Sequence, residues 1–370
     1  MQAHPVSLSI IVPVYNNSRD LKECLSAIKA ASSPNTEIIV VDDGSTDDTF
    51  QTGIALGVRP LQLVKNSGVA AARNYGARHA RGDVLLFVDA DVVVPPGAIK
   101  RVTEVFEGNP ALAAVFGSYD AQPRAKGTAS QYRNLLHHFV HQKGKTEAST
   151  FWAGCGAIRR HVFEKIGGFD ERRYRHPSIE DIELGYRLRQ AGHRIFLDKS
   201  LQVTHLKQWT ISSIIRTDIT RRAVPWARLI LEGGEAPDDL NLKLGQRLSG
   251  LLVMLACLLA LLSVFWFELV ALSAVALTGV IALNRDLFKF FWKQRGLCFA
   301  ASCVPLHLLY YFYSTMAFLY VWTGFQIRPA SLLAQRAISE RDRADRDRVT
   351  PSFSKVTRGV FESVHRVDKL

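Results

Sequence analysis

The stretch VLLFVDADVVVPPG, residues 84–97, places two carboxylates directly after a strongly apolar run. The run at residues 84–88 is typical of a strand that is buried on both faces of a sheet. Carboxylates that follow such a strand, here Asp89 and Asp91, require water, hydrogen bonds or a cation. Either the two aspartates mark the point where a core strand reaches the surface, or they bind a ligand.

Short apolar runs alternate with helical patterns across residues 6–120. The patterns predict strands at residues 7–14, 36–41 and 84–88, and helices at residues 18–31, 46–56, 68–81 and 97–107. This alternation predicts an α/β fold in which helices cover both faces of a parallel sheet. Because such sheets bind ligands beyond the carboxyl ends of their strands, the polar residues after each strand are expected to meet on one rim.

The expected rim residues are PVYN at 13–16, DDGS at 42–45 and DAD at 89–91. Such residues also form turns and cap helices, so a purely structural role stays open for each cluster. The sequence contains neither GxxxxGK[ST] nor a GxGxxG after a strand, the motifs that cradle phosphates with backbone N–H groups. Bound phosphates would then be neutralised by Mg²⁺ or Mn²⁺ on carboxylates, which gives Asp89 and Asp91 a chemical role.

The net charge of +12 favours an anionic partner. Nucleic acid is not the expected partner, because the aspartates of the predicted rim oppose contact with a phosphate backbone and no recognised binding motif is present. The five cysteines form no CxxC pair, which is typical of thiols in a reducing compartment. The N-terminal sequence lacks the pattern of a signal peptide, so we expect the N-terminal domain in the cytoplasm.

The composition changes sharply near residue 248. Residues 248–283 contain Glu268 as their single ionisable residue and predict two short apolar helices, and residues 297–325 predict one long span. We therefore expect a multi-pass protein of the cell (inner) membrane with about three spans. The basic linker 284–296 predicts a cytoplasmic side, whereas the basic tail 326–370 disagrees with three spans.

The expected domain organisation has four parts. Residues 1–205 form the α/β domain, and residues 206–247 interleave apolar and basic side chains in a pattern typical of helices in the headgroup region. Residues 248–325 form the transmembrane region, and residues 326–370 form a charged tail.

Several motifs, in order, resemble the signatures of family 2 glycosyltransferases with the GT-A (Rossmann-like) fold. They are SIIVPVYNN, VVDDGSTDDT, NSGVAAARNYGARHARGD, LLFVDADVVVPPGAI, FWAGCGAIRRHVFEKIGGFDE, IEDIELGYRLRQAGHRI and VTHLK. The resemblance covers residues 6–230. It is specific because seven motifs follow one another in the expected order, whereas a single DxD would be weak.

The resemblance implies that a nucleotide-diphosphate-sugar donor binds at the rim. Pro13, Tyr15, Asp42 and Asp43 would contact the nucleoside. Arg73 would lie near the base or the diphosphate, and the alternative for Arg73 is an exposed helix arginine.

The resemblance also implies a divalent metal site. Asp89 would face the ribose or metal-bound water, and Asp91 would ligate the Mg²⁺ or Mn²⁺ ion that bridges the diphosphate. His205 would complete the site, although an isolated histidine is equally consistent with a structural role.

The acceptor side is implied by residues 176–188. A helix that begins at Pro177 or Ser178 would have Glu180 and Asp181 in its first turn, where the helix dipole favours ionised carboxylates. The resemblance makes Asp181 the general base for an acceptor hydroxyl and Glu180 its helper. If the acceptor is a phosphate, which is already anionic, Asp181 would position it instead.

Together these features predict a membrane-bound inverting glycosyltransferase of cell-envelope glycan synthesis, with a lipid-linked or other membrane-proximal glycan acceptor. The alternatives are a processive polysaccharide synthase and a noncatalytic membrane scaffold that binds nucleotide or lipid. Processive synthases of the family carry a QxxRW element, where this chain has RRAVPW at 221–226. That departure and the small number of predicted spans disfavour the synthase.

Overall fold

The computed structural model describes residues 6–33, 36–233 and 243–327. Within these residues, eight strands form one sheet in the order β3-β2-β1-β4-β7-β6-β8-β5. The strands are β1 (Leu8–Val14), β2 (Glu37–Asp42), β3 (Leu61–Gln62), β4 (Val84–Val88), β5 (Val92–Val93), β6 (Ala114–Tyr119), β7 (Cys155–Arg159) and β8 (Ile195–His205).

The helices of the N-terminal part lie between the strands, as the alternating sequence pattern predicts. They are α1 (Ser18–Ala31), α2 (Thr49–Ala55), α3 (Val69–His79), α4 (Ala98–Gly108), α5 (Thr128–Lys143), α6 (Arg160–Lys165) and α7 (Glu180–Gln190). After the sheet follow α8 (Ile211–Thr217), a π-helical turn (Asp218–Ala223), α9 (Val224–Gly233), α10 (Leu244–Leu262), α11 (Leu269–Leu283), α12 (Arg285–Arg295) and α13 (Leu297–Ile327).

The first strands form the parallel part of the sheet. β1 pairs in parallel with both β2 and β4, with Val14 opposite Asp42 and Ile11 opposite Phe87. The carboxyl ends of these three strands therefore lie on one edge of the sheet, which confirms the predicted rim.

The sheet is mixed rather than wholly parallel, which corrects the expectation from the sequence. β7 runs antiparallel to both of its neighbours, β4 and β6. Cys155, the first residue of β7, pairs with Val88, the last residue of β4. The chain therefore enters β7 at the rim, where β4 ends, and β7 runs in the opposite direction to β4.

β4 ends at Val88, as the sequence predicts, and the apolar residues after the aspartates belong to a separate strand. Val92 and Val93 form β5, which pairs antiparallel with His205 and Thr204 of β8. After β4 the chain therefore turns at Asp89–Asp91 and crosses to β5, at the edge of the sheet next to β8. This crossing brings Asp91 next to the end of β8.

Alternating side chains of the central strands divide the core into two layers. Ile10 and Leu86 pack with α1 and α4 on one face of the sheet. Ile11 and Phe87 pack with α3, α5 and α7 on the other face. Period-2 alternation of buried residues is the expected pattern for strands covered on both sides.

The C-terminal helices match the predicted apolar segments. Among the described residues, α10 and α13 are each long and apolar enough to cross a membrane, and the pair α11 and α12, bent by 67°, brings the number to three if it counts as one span. α10 and α11 are separated at residues 263–268, where the sequence predicts a break.

Spatial contacts divide the chain into Met1–Leu319 and Tyr320–Leu370. The predicted four-part organisation stays a prediction, and its tail lies, from residue 328, outside the described residues.

Polar contacts join α13 to the α/β domain. The Tyr132 hydroxyl of α5 lies 3.0 Å from Nδ1 of His307, and the Tyr313 hydroxyl donates to Oδ2 of Asp218 at 2.6 Å. Asp218 also pairs with Arg133 of α5 at 2.8 Å. These directional contacts fix α5 and the π-helical turn against the first half of α13.

A close approach between α3 and the sheet yields a stability prediction. A Cβ at Gly76 would lie 2.6 Å from Cγ2 of Ile11 and 3.0 Å from Cγ2 of Val41, and both of these side chains are fully buried. We expect Gly76→Ala to lower stability by about 1–3 kcal/mol through overpacking, seen as a lower melting temperature of the full chain. Gly108→Ala is the matched control, since its Cβ would meet nothing within 4 Å. Equal melting temperatures for the two variants would contradict the prediction.

Candidate active site

Asp43 organises the rim beyond β2. Its Oδ1 accepts a hydrogen bond from the Ser67 backbone N–H at 2.7 Å, and its Oδ2 accepts one from Gly68 at 2.9 Å. Burial raises the pKa of Asp43, and the two backbone hydrogen bonds oppose that shift. Gly68 has φ +95°, and a Cβ there would lie 2.3 Å from the Arg175 carbonyl oxygen. This close approach requires glycine.

Asp42 is fully buried and serves the turn around it. Its Oδ1 accepts from the Ser45 N–H at 2.9 Å, and its Oδ2 accepts from Nε2 of Gln62 at 3.0 Å. Both carboxylate oxygens are therefore engaged by the chain itself. The nucleotide contact expected of Asp42 stays a prediction.

Pro13 and Tyr15 lie at the neighbouring strand end. Pro13 is buried within β1, whereas Tyr15 is 46% exposed at the rim. Asn16 follows with φ +47°, an unusual value for a residue other than glycine. Its Oδ1 accepts from the Thr46 N–H at 2.8 Å, which ties the end of β1 to the turn after β2. Asn16 belongs to the predicted rim stretch at residues 13–16, and asparagine is a residue type that tolerates this conformation.

Arg73 is the buried centre of the site. Its Nη2 donates to Oδ1 of Asp89 at 2.7 Å and its Nη1 donates to Oε1 of Glu180 at 2.8 Å. Its side chain is 4% exposed, so the alternative of an exposed helix arginine is wrong. Burial alone would lower the pKa of Arg73, but Asp89 and Glu180 raise it above the usual value. The guanidinium therefore stays charged.

The two aspartates of the DAD sequence differ in environment. Burial raises the pKa of Asp89, against the opposing effect of Arg73. For Asp91 the effect of burial is outweighed by His205 and Lys207, so its pKa lies below the usual value. Nε2 of His205 lies 3.5 Å from Oδ2 of Asp91. The crossing from β4 to β5 thus places Asp91 beside His205, where its carboxylate stays ionised.

Tyr119 stacks on the imidazole ring of His205. The two rings stack with centroids 4.1 Å apart and an interplanar angle of 13°. Trp152 packs edge-on against Tyr119 at 4.9 Å. Tyr119 was not predicted as a site residue. In the sequence it is marked only by its position at the end of an apolar strand.

The donor set for a metal ion is small. Among the described residues, no group of three or more His, Cys, Asp and Glu side chains is arranged to hold one. Asp91 and His205 form a pair, and Oδ1 of Asp89 is engaged by Arg73. Mg²⁺ commonly binds one or two carboxylates together with substrate phosphates. The residues present therefore fit a hard divalent cation that takes its remaining ligands from a bound diphosphate and water.

Glu180 and Asp181 lie in the first turn of α7, which begins at Glu180, two or three residues later than expected. Oδ1 of Asp181 accepts from the Ile182 N–H at 2.8 Å, and Oδ2 accepts from the Ala153 N–H at 3.1 Å. Burial, reinforced by the charge of Glu180, raises the pKa of Asp181 to about 7. A carboxyl group with such a pKa is suited to proton transfer near neutral pH.

A single stretch of backbone connects the metal-side and acceptor-side residues. Ala153 donates its N–H to Asp181, and the carbonyl of the next residue, Gly154, accepts from the Asp89 N–H at 3.1 Å. Together with the Asp89–Arg73–Glu180 ion pairs, this stretch places both clusters on the same rim. The structure therefore brings Asp89, Asp181 and Glu180 together.

The segment after the sheet lies against α7. The Ser178 hydroxyl donates to the Arg221 carbonyl oxygen at 2.7 Å, and Nε1 of Trp226 donates to the Tyr186 hydroxyl at 3.0 Å. Arg221 belongs to the π-helical turn, a rare conformation that is frequent at functional sites. The predicted interfacial segment thus borders the acceptor side of the rim.

The fold and motif order match known proteins. The profile of the family described as Glycosyl transferase family 2 matches residues 9–167. The solved structure of the mannosyltransferase PcManGT from Pyrobaculum calidifontis, in complex with GDP-Man and Mn²⁺, has a TM-score of 0.55 at 19% identity and covers 86% of this chain and 88% of that chain. This likeness confirms the expected GT-A type of α/β fold.

Relatives in sequence point the same way. The undecaprenyl-phosphate 4-deoxy-4-formamido-L-arabinose transferase of Shewanella sediminis is 29% identical over 178 residues, which are 45% of this chain and 52% of that protein. Glycosyltransferase GlyG of Streptococcus pneumoniae is 34% identical over 243 residues, which are 61% of this chain and 77% of GlyG. With this identity over most of a relative's length, the chain belongs to glycosyl transferase family 2 and is a glycosyltransferase.

Proposed function

We propose that the chain is a membrane-anchored, metal-dependent, inverting glycosyltransferase that moves a sugar from a nucleotide-diphosphate-sugar to a lipid-linked or membrane-proximal acceptor in cell-envelope glycan synthesis. The observation that carries the proposal is the ion-pair chain Asp89–Arg73–Glu180, in which Arg73 and Glu180 are buried and Asp89 is partly exposed. It joins the donor-side aspartates to the helix turn that presents Asp181.

On the donor side, Tyr15 is the exposed group that would stack on or contact the nucleoside. Asp43 would contact it at the turn, where Asp43 also holds the 67–68 backbone. Pro13 and Asp42 are buried, and in this proposal they shape the two strand ends. The PcManGT complex contains GDP-Man, which supports a nucleotide-sugar donor in a fold of this type.

Asp91 and His205 would hold the divalent ion, with Asp89 facing the ribose or metal-bound water. When bound, Mg²⁺ or Mn²⁺ would neutralise the charge that develops on the leaving diphosphate. Arg73 keeps Asp89 in place and contributes a fixed positive charge behind it. The Mn²⁺ ion of the PcManGT complex supports a divalent cation.

On the acceptor side, Asp181 would take the proton of a hydroxyl as that oxygen attacks the anomeric carbon from the face opposite the diphosphate. Glu180 raises the proton affinity of Asp181 and keeps Arg73 in position. The undecaprenyl-phosphate transferase of Shewanella sediminis is named for a lipid phosphate, which supports an acceptor of this class. The helices that can cross a membrane and the basic segment beside α7 would keep the catalytic domain on the cytoplasmic surface.

The first test is donor turnover by the full chain in native membranes. Release of UDP or GDP is measured over a panel of sugar nucleotides with Mg²⁺ or Mn²⁺, and the lipid-extractable product is identified by mass. Transfer of one sugar supports the proposal, long chains on one acceptor indicate a processive synthase, and binding without turnover across the panel indicates a noncatalytic scaffold.

Removal of the Asp91 charge should weaken metal binding and strongly reduce the activity. We expect Asp91→Asn to reduce turnover about a hundredfold or more, because it removes the main anionic ligand without changing side-chain size. The matched control is Asp286→Asn on α12, where the native carboxylate is 65% exposed. Wild-type turnover in Asp91→Asn would show that the metal assignment is wrong.

The pH dependence tests the role of Asp181. The base is active only when ionised, so we expect kcat/KM for a hydroxyl acceptor to fall about tenfold per pH unit below its pKa of about 7. Glu180→Gln removes a charge that raises this pKa, so the acidic limb should move to lower pH. A limb that stays in place would argue against Asp181 as the base. Retention of activity by Asp181→Asn would indicate a phosphate acceptor that needs only positioning.

Arg73 should matter for both folding and turnover. Arg73→Gln leaves the buried carboxylate of Glu180 and the partly exposed carboxylate of Asp89 without their partner. Breaking a fully buried pair costs about 3–5 kcal/mol, and here that cost applies to the Glu180 contact alone. We expect a lower melting temperature and a large loss of turnover. In Arg73→Gln combined with Glu180→Gln, stability should recover in part and activity should not. Equal recovery of both would show that the arginine is only structural.

A further inference from the structure

The helix α12 has two opposite faces of different chemistry. Its apolar face contacts the α/β domain, where Leu287 and Phe291 are 3% and 0% exposed. Phe290 stacks on His138 of α5, with ring centroids 5.7 Å apart and an interplanar angle of 15°. Nε of Arg295 donates to Oε1 of Gln131, also on α5, at 2.8 Å. α12 is therefore docked on the protein through its apolar face.

The opposite face carries a basic stripe formed by Arg285, Lys289 and Lys293. The three residues follow one another at intervals of four, which places them on one side of the helix. All three are exposed, and Trp292, 57% exposed, borders them. Within the described ranges, no carboxylate pairs with Lys289 or Lys293, and Arg285 has a distant contact of 3.9 Å with Asp286.

The orientation of α12 relative to its neighbours decides what the stripe faces. α12 connects the apolar helices α11 and α13, and it is bent by 67° from α11. α12 ends two residues before α13 begins, and α13 is long and apolar enough to cross a membrane, so the docked α12 lies beside the point where α13 would enter the headgroup region. Since the apolar face is covered by α5, the basic face is the one available to the lipid headgroups. This reverses the arrangement of an ordinary interfacial helix, which inserts its apolar face into the lipid.

We propose that the Arg285–Lys289–Lys293 stripe binds the headgroups of anionic phospholipids and thereby fixes the catalytic domain against the membrane surface. The inference rests on the membrane anchoring proposed above. Charge complementarity supports the assignment, because Lys and Arg side chains near an anionic membrane surface are attracted to its lipid headgroups. The exposed Trp292 agrees with it, since tryptophan is enriched at the membrane–water interface.

The test is a lipid titration of the full chain in a non-ionic detergent, followed by native mass spectrometry. We expect phosphatidylglycerol to bind at least about fivefold more tightly than phosphatidylcholine. In Lys289→Gln/Lys293→Gln that ratio should fall close to one, whereas Lys289→Arg/Lys293→Arg should keep it. The matched control is Lys22→Gln/Lys100→Gln, which removes the same charge from exposed positions on α1 and α4, on the other face of the sheet.

The inference is wrong if the wild type shows no preference for phosphatidylglycerol, or if the Lys289→Gln/Lys293→Gln chain keeps it. It is also wrong if that variant loses heparin binding while the lipid preference persists, since the stripe would then serve another polyanion. Unchanged melting temperature and donor turnover in detergent show that the variant is folded. An alkaline carbonate wash separates the two proposals: release of the wild type refutes the anchoring, whereas a retained chain without lipid preference refutes the stripe alone.

Discussion

The active-site rim depends on one buried cation. Arg73 lies between Asp89 and Glu180, which are 16 and 107 residues away in sequence. Without the guanidinium, the carboxylate of Glu180, whose side chain is 6% exposed, would lose its partner in a region of low polarity, where ionised groups are strongly disfavoured. Buried ion pairs contribute little net stability compared with apolar packing. The Asp89–Arg73–Glu180 ion pairs matter for geometry, because they fix the end of β4 relative to the first turn of α7.

The neighbouring carboxylates of the rim differ because different charges surround them. Asp91 is stabilised as an anion next to His205 and Lys207, while Asp181 accepts two backbone hydrogen bonds and still has a pKa raised to about 7 by burial and by Glu180. Arg73 is engaged directly by Asp89 and Glu180, and it lowers the pKa of Asp181 by less than burial and Glu180 raise it. Groups with pKa values pushed apart in one cleft are the arrangement that divides acid–base work from cation binding.

Much of this could be predicted from the sequence, and what could not has a common cause. The apolar strands and the shared rim follow from local patterns, as residues 84–88 show. The pairing of β5 with β8 does not follow from a local pattern, because a strand of two residues is too short to show an alternation of apolar and polar side chains. The burial of Arg73 and of Asp42 depends on partners that only the fold brings near, Glu180 in one case and Gln62 in the other. Local rules predict elements, and the contacts between distant segments decide which polar residues are buried.

The connection between the site and the apolar helices is a rigid one. α5 contacts His307 through Tyr132 and Asp218 through Arg133, and Asp218 in turn accepts from Tyr313. Further along the same helix, His137 packs on Tyr119 and Trp152, with ring centroids 4.4 and 4.9 Å apart. Those two rings form the wall behind His205. Because hydrogen bonds and ion pairs are directional, they fix the rotation of α5 as well as its distance from α13, which apolar packing alone would leave less defined. The wall of the active site is therefore positioned by the first half of α13 through a single helix.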